Sequence, residues 1–223
     1  YLICEEKSKA TQEKYLRDIK AFRLWLGKAE LCKAKVLDYK EYLIAHYAPA
    51  SVNSILSSLN CFFDCMSAFA LKVKTMRIQR RIFAGSDKEL TKKEYERLLA
   101  AARSNGNRKL FLLMQTIWAA GIRVSELAFI TVEALQDGQA TIRLKGKMRV
   151  IMLPNDLCKM LKKYKQEKKI TSGSIFVTKN GKPLDRSNIW KLMKSLCKIA
   201  GVSEKKVFPH NLRHLFARTF YSI

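Results

Sequence analysis

The chain has 223 residues, 48% of them hydrophobic, with 43 Lys and Arg against 19 Asp and Glu for a formal net charge of +24. That length and apolar content fit two small folded domains and exclude a disordered basic tail. The charge points to a polyanionic partner, nucleic acid or another polyanion, with a merely basic soluble protein as the plainer alternative.

Six cysteines, Cys4, Cys32, Cys61, Cys65, Cys158 and Cys197, are scattered with no Cys-x-x-Cys and no histidine at zinc spacing. This excludes a zinc-finger scaffold and fits reduced thiols in a cytosolic protein. No leader segment stands out, and no apolar run is long enough to span a bilayer.

Residues 1–71 carry only helical signals. Tyr15, Ile19, Phe22 and Leu26 share one face, and Val36, Tyr39, Tyr42 and Leu43 suggest a second helix. Val52, Ile55, Leu56, Leu59, Phe62, Phe63 and Met66 form a long stripe at helical spacing, opened by Pro49 and Ser51. The expectation is a compact helical domain. Residues 72–87 then change character, with Lys72, Lys74, Arg77, Arg80 and Arg81 crowded together. Such a segment is either a solvated linker or a basic strap on a DNA backbone. Counterion release favours the strap.

From residue 88 the pattern is mixed. Thr91 to Glu94 reads as a capping box for a helix carrying Tyr95, Leu98, Leu99 and Ala102. Leu110 to Ala120 is apolar all round, so it belongs inside a core, and Gly121 stops it. A short helix is expected over 124–130. Residues 140–144 and 149–153 alternate like strands around a Lys145-Gly-Lys147 turn, with Pro154 ending the second. Helices are expected at 155–168 and 186–200, a short strand at 175–177, and a last helix opened by Pro209. The fold class is therefore mainly α, with a mixed α/β second domain holding a small hairpin.

Four residues stand out chemically: Arg123 after a glycine at a helix start, Lys145 at a hairpin tip, and His210 with Arg213 at i, i+3 near a helix N-terminus. Metal-free cleavage of a phosphodiester needs such groups. Fork-shaped cations stabilise the charge growing on the nonbridging oxygens, a histidine adds a donor, and a general acid protonates the departing oxygen. Each feature alone is weak, and their joint occurrence in this order is more specific.

Three stretches carry a family resemblance: Ala120-Gly-Ile-Arg-Val-Ser-Glu-Leu127, the Lys145 hairpin ending in Met152-Leu-Pro154, and Pro209-His-Asn-Leu-Arg-His214. The chain resembles the tyrosine recombinases, or phage-type integrases, over essentially its whole length. Residues 1–71 resemble the helical core-binding (SAM-like) domain, and 88–223 most of the catalytic domain. The resemblance implies that Arg123 and Arg213 clamp the scissile phosphate, that His210 is its donor, and that Lys145 is the general acid, with Lys147 as rival. Glu126 matches an acidic residue that orients the site, although a helix-surface charge pair explains it equally well.

The resemblance also implies a double-stranded recombination site as partner, a homotetramer on two sites, a bacterial cytosolic setting and no cofactor. DNA contacts are expected from Lys72, Lys74, Arg77, Arg80, Arg81, Ser51, Asn53, Arg149 and Arg186. One departure matters. The family's nucleophilic tyrosine follows the His-x-x-Arg box by several turns, and Tyr221 stands too close to Arg213 to match it. Tyr95 and Tyr164 lack the context, and His214 is expected to face away as a structural residue. The chain as given is therefore expected to bind DNA without cleaving it. Rival readings are a non-catalytic DNA-binding descendant and a type IB topoisomerase.

Overall fold

In a computed structural model of the protein, residues 1–78, 88–144, 147–178 and 180–221 are described. Two compact units divide the chain, Tyr1–Ile82 and Phe83–Ile223. Arg80, Arg81 and Lys145 lie outside the described residues.

The first unit packs three helices, α1 (Lys9–Leu26), α2 (Lys33–His46) and α3 (Pro49–Cys65), with a 3-10 turn at Phe69–Leu71. Ser8 caps α1 and Pro49 opens α3 at a position where its missing N–H costs nothing. The helical stripes close on one another through Phe22, Val36, Tyr39, Leu43, Leu56 and Phe63. Asp18 is buried here but satisfied. It accepts from the Ser58 hydroxyl at 2.7 Å and pairs with Lys14 at 2.6 Å.

The expected boundary at residue 71 falls too early. Val73 is buried in the helical core, and two asparagines of α3 hold the extended chain beyond it. Asn60 donates to the Val73 carbonyl at 2.8 Å and accepts from its N–H at 3.0 Å. Asn53 does the same for Met76 at 2.8 and 2.7 Å. The registers match: seven residues of helix rise about 10.5 Å, and three residues of extended chain cover about 10 Å. A strand-like strap is thus laid along α3 by side-chain amides, which take the place of a neighbouring strand.

The second unit is built on α4 (Lys92–Ser104) and α5 (Arg108–Ala120). The expected capping box is present at Thr91 and Glu94, and Glu94 also pairs with Lys206 at 2.9 Å. Next come a 3-10 helix at Val124–Phe129, α6 (Val132–Asp137) and the antiparallel hairpin β1 (Gln139–Leu144) with β2 (Lys147–Met152). The segment 124–130 winds as 3-10 rather than α. In the hairpin Ala140 and Ile142 face the core, while Met148, Val150 and Met152 of β2 face outward. Ile142 pairs with Arg149, so the Arg149 stem starts on the core side of the sheet.

Helices α7 (Asn155–Glu167), α8 (Arg186–Lys194), α9 (Cys197–Ala200) and α10 (Pro209–Tyr221) complete the unit. The single helix expected over 186–200 is interrupted at Ser195 and Leu196. The expected strand at 175–177 reduces to isolated bridges, Thr131 with Ser174 and Val177 with Pro183. The class is mainly α with one small sheet, as expected. No helix among the described residues is long and apolar enough to cross a membrane.

Replacing Asn60 by Ala removes both bonds to Val73 and leaves a half-buried backbone unit unpaired. The expected loss is about 1–3 kcal/mol, with new protease sensitivity within 72–78. Denaturation and limited proteolysis check this, and unchanged cleavage would show that Val73 burial alone holds the strap.

Candidate functional site

The site grows from the end of α5. Gly121 adopts φ +58° and closes the helix in the left-handed region. A β-carbon there would stand 2.4 Å from the Phe216 ring, so the glycine also lets α10 close on α5. Its carbonyl accepts from the Arg213 guanidinium. Ile122, fully buried, anchors the next residue, and Arg123 then leaves the core in an extended conformation.

Glu126 decides where Arg123 goes. It is 2% exposed, and its carboxylate accepts from the Arg123 backbone N–H at 2.6 Å and from the Arg123 Nη1 at 3.0 Å. The same carboxylate takes the Arg149 Nη2 at 2.6 Å. Arg123 and Arg149 stay 59% and 40% exposed, so one buried anion fixes two outward-facing guanidiniums. The surface-pair explanation of Glu126 is thereby excluded. Burial alone would raise its pKa, but the hydrogen bonds from Arg123 and Arg149 outweigh that and hold it below the usual carboxylate value.

Helix α10 supplies the other half. Leu212 and Leu215 bury, and the Asn211 amide donates to the carbonyls of Lys88 at 2.6 Å and Lys206 at 2.8 Å. This leaves His210 exposed and Arg213 half-buried. Burial, then the like charges of Arg123 and Arg149, push the Arg213 pKa down, opposed by Glu126. His210 is also pushed down, first by burial, then by His214, Arg213, Arg186 and Arg123. Four arginines therefore act on one another or on His210, with Glu126 their buried counter-charge.

A cleft of about 800 Å³ opens among these groups, lined by Arg123, Ser125, Arg186, Trp190, His210 and Arg213. Asp185 also lines it, with its carboxylate engaged in capping α8 through the Asn188 N–H at 2.7 Å. Such a cleft suits a tetrahedral oxyanion. Among the described residues no group of three or more His, Cys, Asp or Glu is placed to hold a metal ion.

The structure brings together Arg123, Glu126, His210 and Arg213, and adds Arg149 and Arg186, which the sequence suggested only as DNA contacts. Lys147 pairs with Leu144 at the hairpin end. Lys72 pairs with Asp64 at 2.8 Å, while Lys74 and Arg77 are exposed on the strap. Ser51 is exposed on the first turn of α3, and the Asn53 amide is engaged by Met76. His214 does not face away. It is exposed, one helical turn from His210, with the two rings edge-on at 4.4 Å. Sequence reasoning missed Trp190. The signal was the spacing Arg186, Trp190, Lys194, a basic and aromatic stripe on one helix face.

In the free protein the His210 pKa is held below the ordinary histidine value, first by burial and then by the surrounding positive charge. An oxyanion in the cleft offsets the surrounding positive charge, so its pKa should rise on binding, and affinity should grow as pH falls towards the free-state value. Histidine proton resonances followed with and without inorganic phosphate check this. An unchanged or lowered pKa would place the anion elsewhere.

Residues 88–222 match the model described as the phage integrase family. The chain is 27% identical over 240 residues to the tyrosine recombinase XerD of Xanthomonas axonopodis pv. citri, spanning 94% of this chain and 77% of the relative. It is 27% identical to the tyrosine recombinase XerA of Pyrococcus furiosus, over 97% of this chain and 76% of the relative. Among solved structures, lambda integrase residues 75–356 bound to DNA superposes with a TM-score of 0.77 at 21% identity, covering 99% of this chain and 82% of that one.

Proposed function

We propose that this chain, which belongs to the phage integrase family, serves a site-specific DNA recombinase that cleaves and rejoins DNA through a 3′-phosphotyrosine. The observation that carries this is the convergence of Arg123, Arg213 and His210 on one cleft, with Arg123 fixed by buried Glu126. Arg123 and Arg213 neutralise the nonbridging oxygens as charge builds on them, and His210 donates a hydrogen bond to the same group. A tyrosine oxygen attacks phosphorus as its phenol proton passes to a base, for which His210 is the candidate, the bond to the 5′-oxygen breaks, and Lys145 or Lys147 delivers a proton to the leaving oxygen. The reverse attack by a 5′-hydroxyl of the partner strand restores the diester, so the bond energy is conserved and no cofactor is required.

In this reading none of Tyr95, Tyr164 and Tyr221 is the nucleophile. Among the described residues no tyrosine lines the cleft, and Tyr95 and Tyr164 are buried. Tyr221 stands eight residues beyond Arg213 on the same helix, about 12 Å along its axis. On this reading the chain as given binds DNA without forming the covalent bond. Lys74 and Arg77 are the strap residues best placed to meet a phosphate backbone, with Arg80 and Arg81 continuing the basic run. Arg186 lines the cleft that would take the phosphate, and Arg149 reaches its edge only through the shared Glu126 carboxylate. The working assembly is a homotetramer on two duplex sites. A lambda integrase tetramer bound to a Holliday junction, 23% identical with a TM-score of 0.71 over 96% of this chain, supports that architecture. The protein works where the DNA is, in the bacterial cytosol and nucleoid.

The product of the complete gene, incubated in EDTA with a nicked suicide substrate of its own site, should give a covalent adduct through a 3′-phosphotyrosine. Arg213→Ala should abolish the adduct while DNA affinity falls less than tenfold, since a transition-state contact costs rate more than ground-state binding. Tight binding without any adduct would leave a DNA-binding regulator in place of an enzyme.

A further inference from the structure

The cleft is larger and less polar than a phosphate alone requires. Beside the charged Arg123, His210 and Arg213 it is lined by the apolar and aromatic Leu184, Phe208 and Trp190. Trp190 is the unusual member. A tryptophan this large normally buries its ring, yet this one is 45% exposed at the middle of α8. It stands one turn from Arg186 and one turn from Lys194, so all three share a helix face.

The indole is also held in place. The Lys194 ammonium sits 5.2 Å from its ring centroid, and that ammonium is bonded to the Glu204 carbonyl. A cation anchored against the ring fixes the side chain as a platform. The neighbouring helix residues Ile189 and Met193 are fully buried, so the backbone beneath it is rigid.

A phosphodiester held by the arginines carries a nucleoside on each side within a few ångströms. An apolar, aromatic wall beside a phosphate clamp suits the face or edge of a base, since base–aromatic contact is favourable and tolerant of sequence. We propose that Trp190 is a base-contacting residue of this cleft, packing its indole against the nucleobase that flanks the clamped phosphate. This rests on the DNA-binding reading above and deepens it. The phosphate is fixed by charge, and the adjoining base by an aromatic platform on α8. Arg186, one turn earlier and lining the same cleft, closes the charged side of that platform.

Two measurements test this on the chain as it stands. In the first, the protein is irradiated on a duplex in which every thymine is replaced by 5-iodouracil, and the crosslinked peptide is identified by mass spectrometry. Trp190 should be a crosslinked residue. In the second, DNA affinity is measured over a salt series for Trp190→Ala and Trp190→Phe. Alanine should weaken binding roughly 30-fold, the middle of the range for loss of a base–aromatic contact, with the salt slope unchanged because no phosphate contact is removed. Phenylalanine should retain most of the affinity. Crosslinks confined to other residues, or equal affinity for Trp190→Ala and the wild type, would overturn the proposal while leaving DNA binding intact. Failure of the wild-type chain to bind duplex DNA at all would instead overturn the reading on which it rests.

Discussion

The buried Glu126 carboxylate is the interaction on which the site depends. Left alone, two neighbouring arginines repel each other and splay into solvent, and each carries rotamer entropy that an exposed position does nothing to remove. One carboxylate at 2% exposure resolves this by accepting from Arg123 twice and from Arg149 once. The two guanidiniums come from different elements, the 3-10 turn and β2, so the same anion also ties the hairpin to the end of α5. Removing one partner from such a buried pair is costly because the remaining charge stays desolvated. The arrangement therefore locks geometry at the point where geometry controls chemistry.

The scaffold around it is rigid for separate reasons. Gly121 combines a left-handed backbone with an open side, and α10 uses that opening to lay Phe216 against α5. The approach brings Arg213 onto the Gly121 carbonyl, two residues before Arg123 leaves the core. Asn211, on the buried side of the same helix, is pinned by two carbonyls. Arg123 and Arg213 are ninety residues apart in sequence, yet both are positioned within one turn of the same glycine. Preorganised donors of this kind need no rearrangement when charge develops on a bound phosphate.

Much of this was legible in the sequence, and the limits have physical causes. The helical stripes of the first unit, the capping box at Thr91 and the outward alternation of the hairpin all follow from period and local chemistry, which a single chain displays directly. Arg123, His210 and Arg213 were legible as a set because their residue types and surroundings are rare together. Harder to read were features that depend on contacts distant in sequence. Asn53 reads from sequence as a DNA contact and Asn60 carries no signal of its own, and only their register against Val73 and Met76 shows that they hold the strap. Glu126 on a helix start resembles any surface charge until Arg149 arrives from the sheet. His214 was assigned to another face, although its i, i+4 relation to His210 already placed it beside that ring. Trp190 has no local signal beyond its spacing from Arg186 and Lys194. The helix over 186–200 was drawn too long because apolar period continues through the break at Ser195 and Leu196.

The most direct test of this account is the phosphate affinity of Glu126→Gln against the wild type, read from the His210 resonance at constant ionic strength. The substitution raises the net charge of the site by one while loosening Arg123 and Arg149. If Glu126 organises the clamp, the variant binds phosphate more weakly despite its added positive charge. If affinity instead rises with charge, the cleft is only a basic surface, and the claim that one buried carboxylate builds it is wrong.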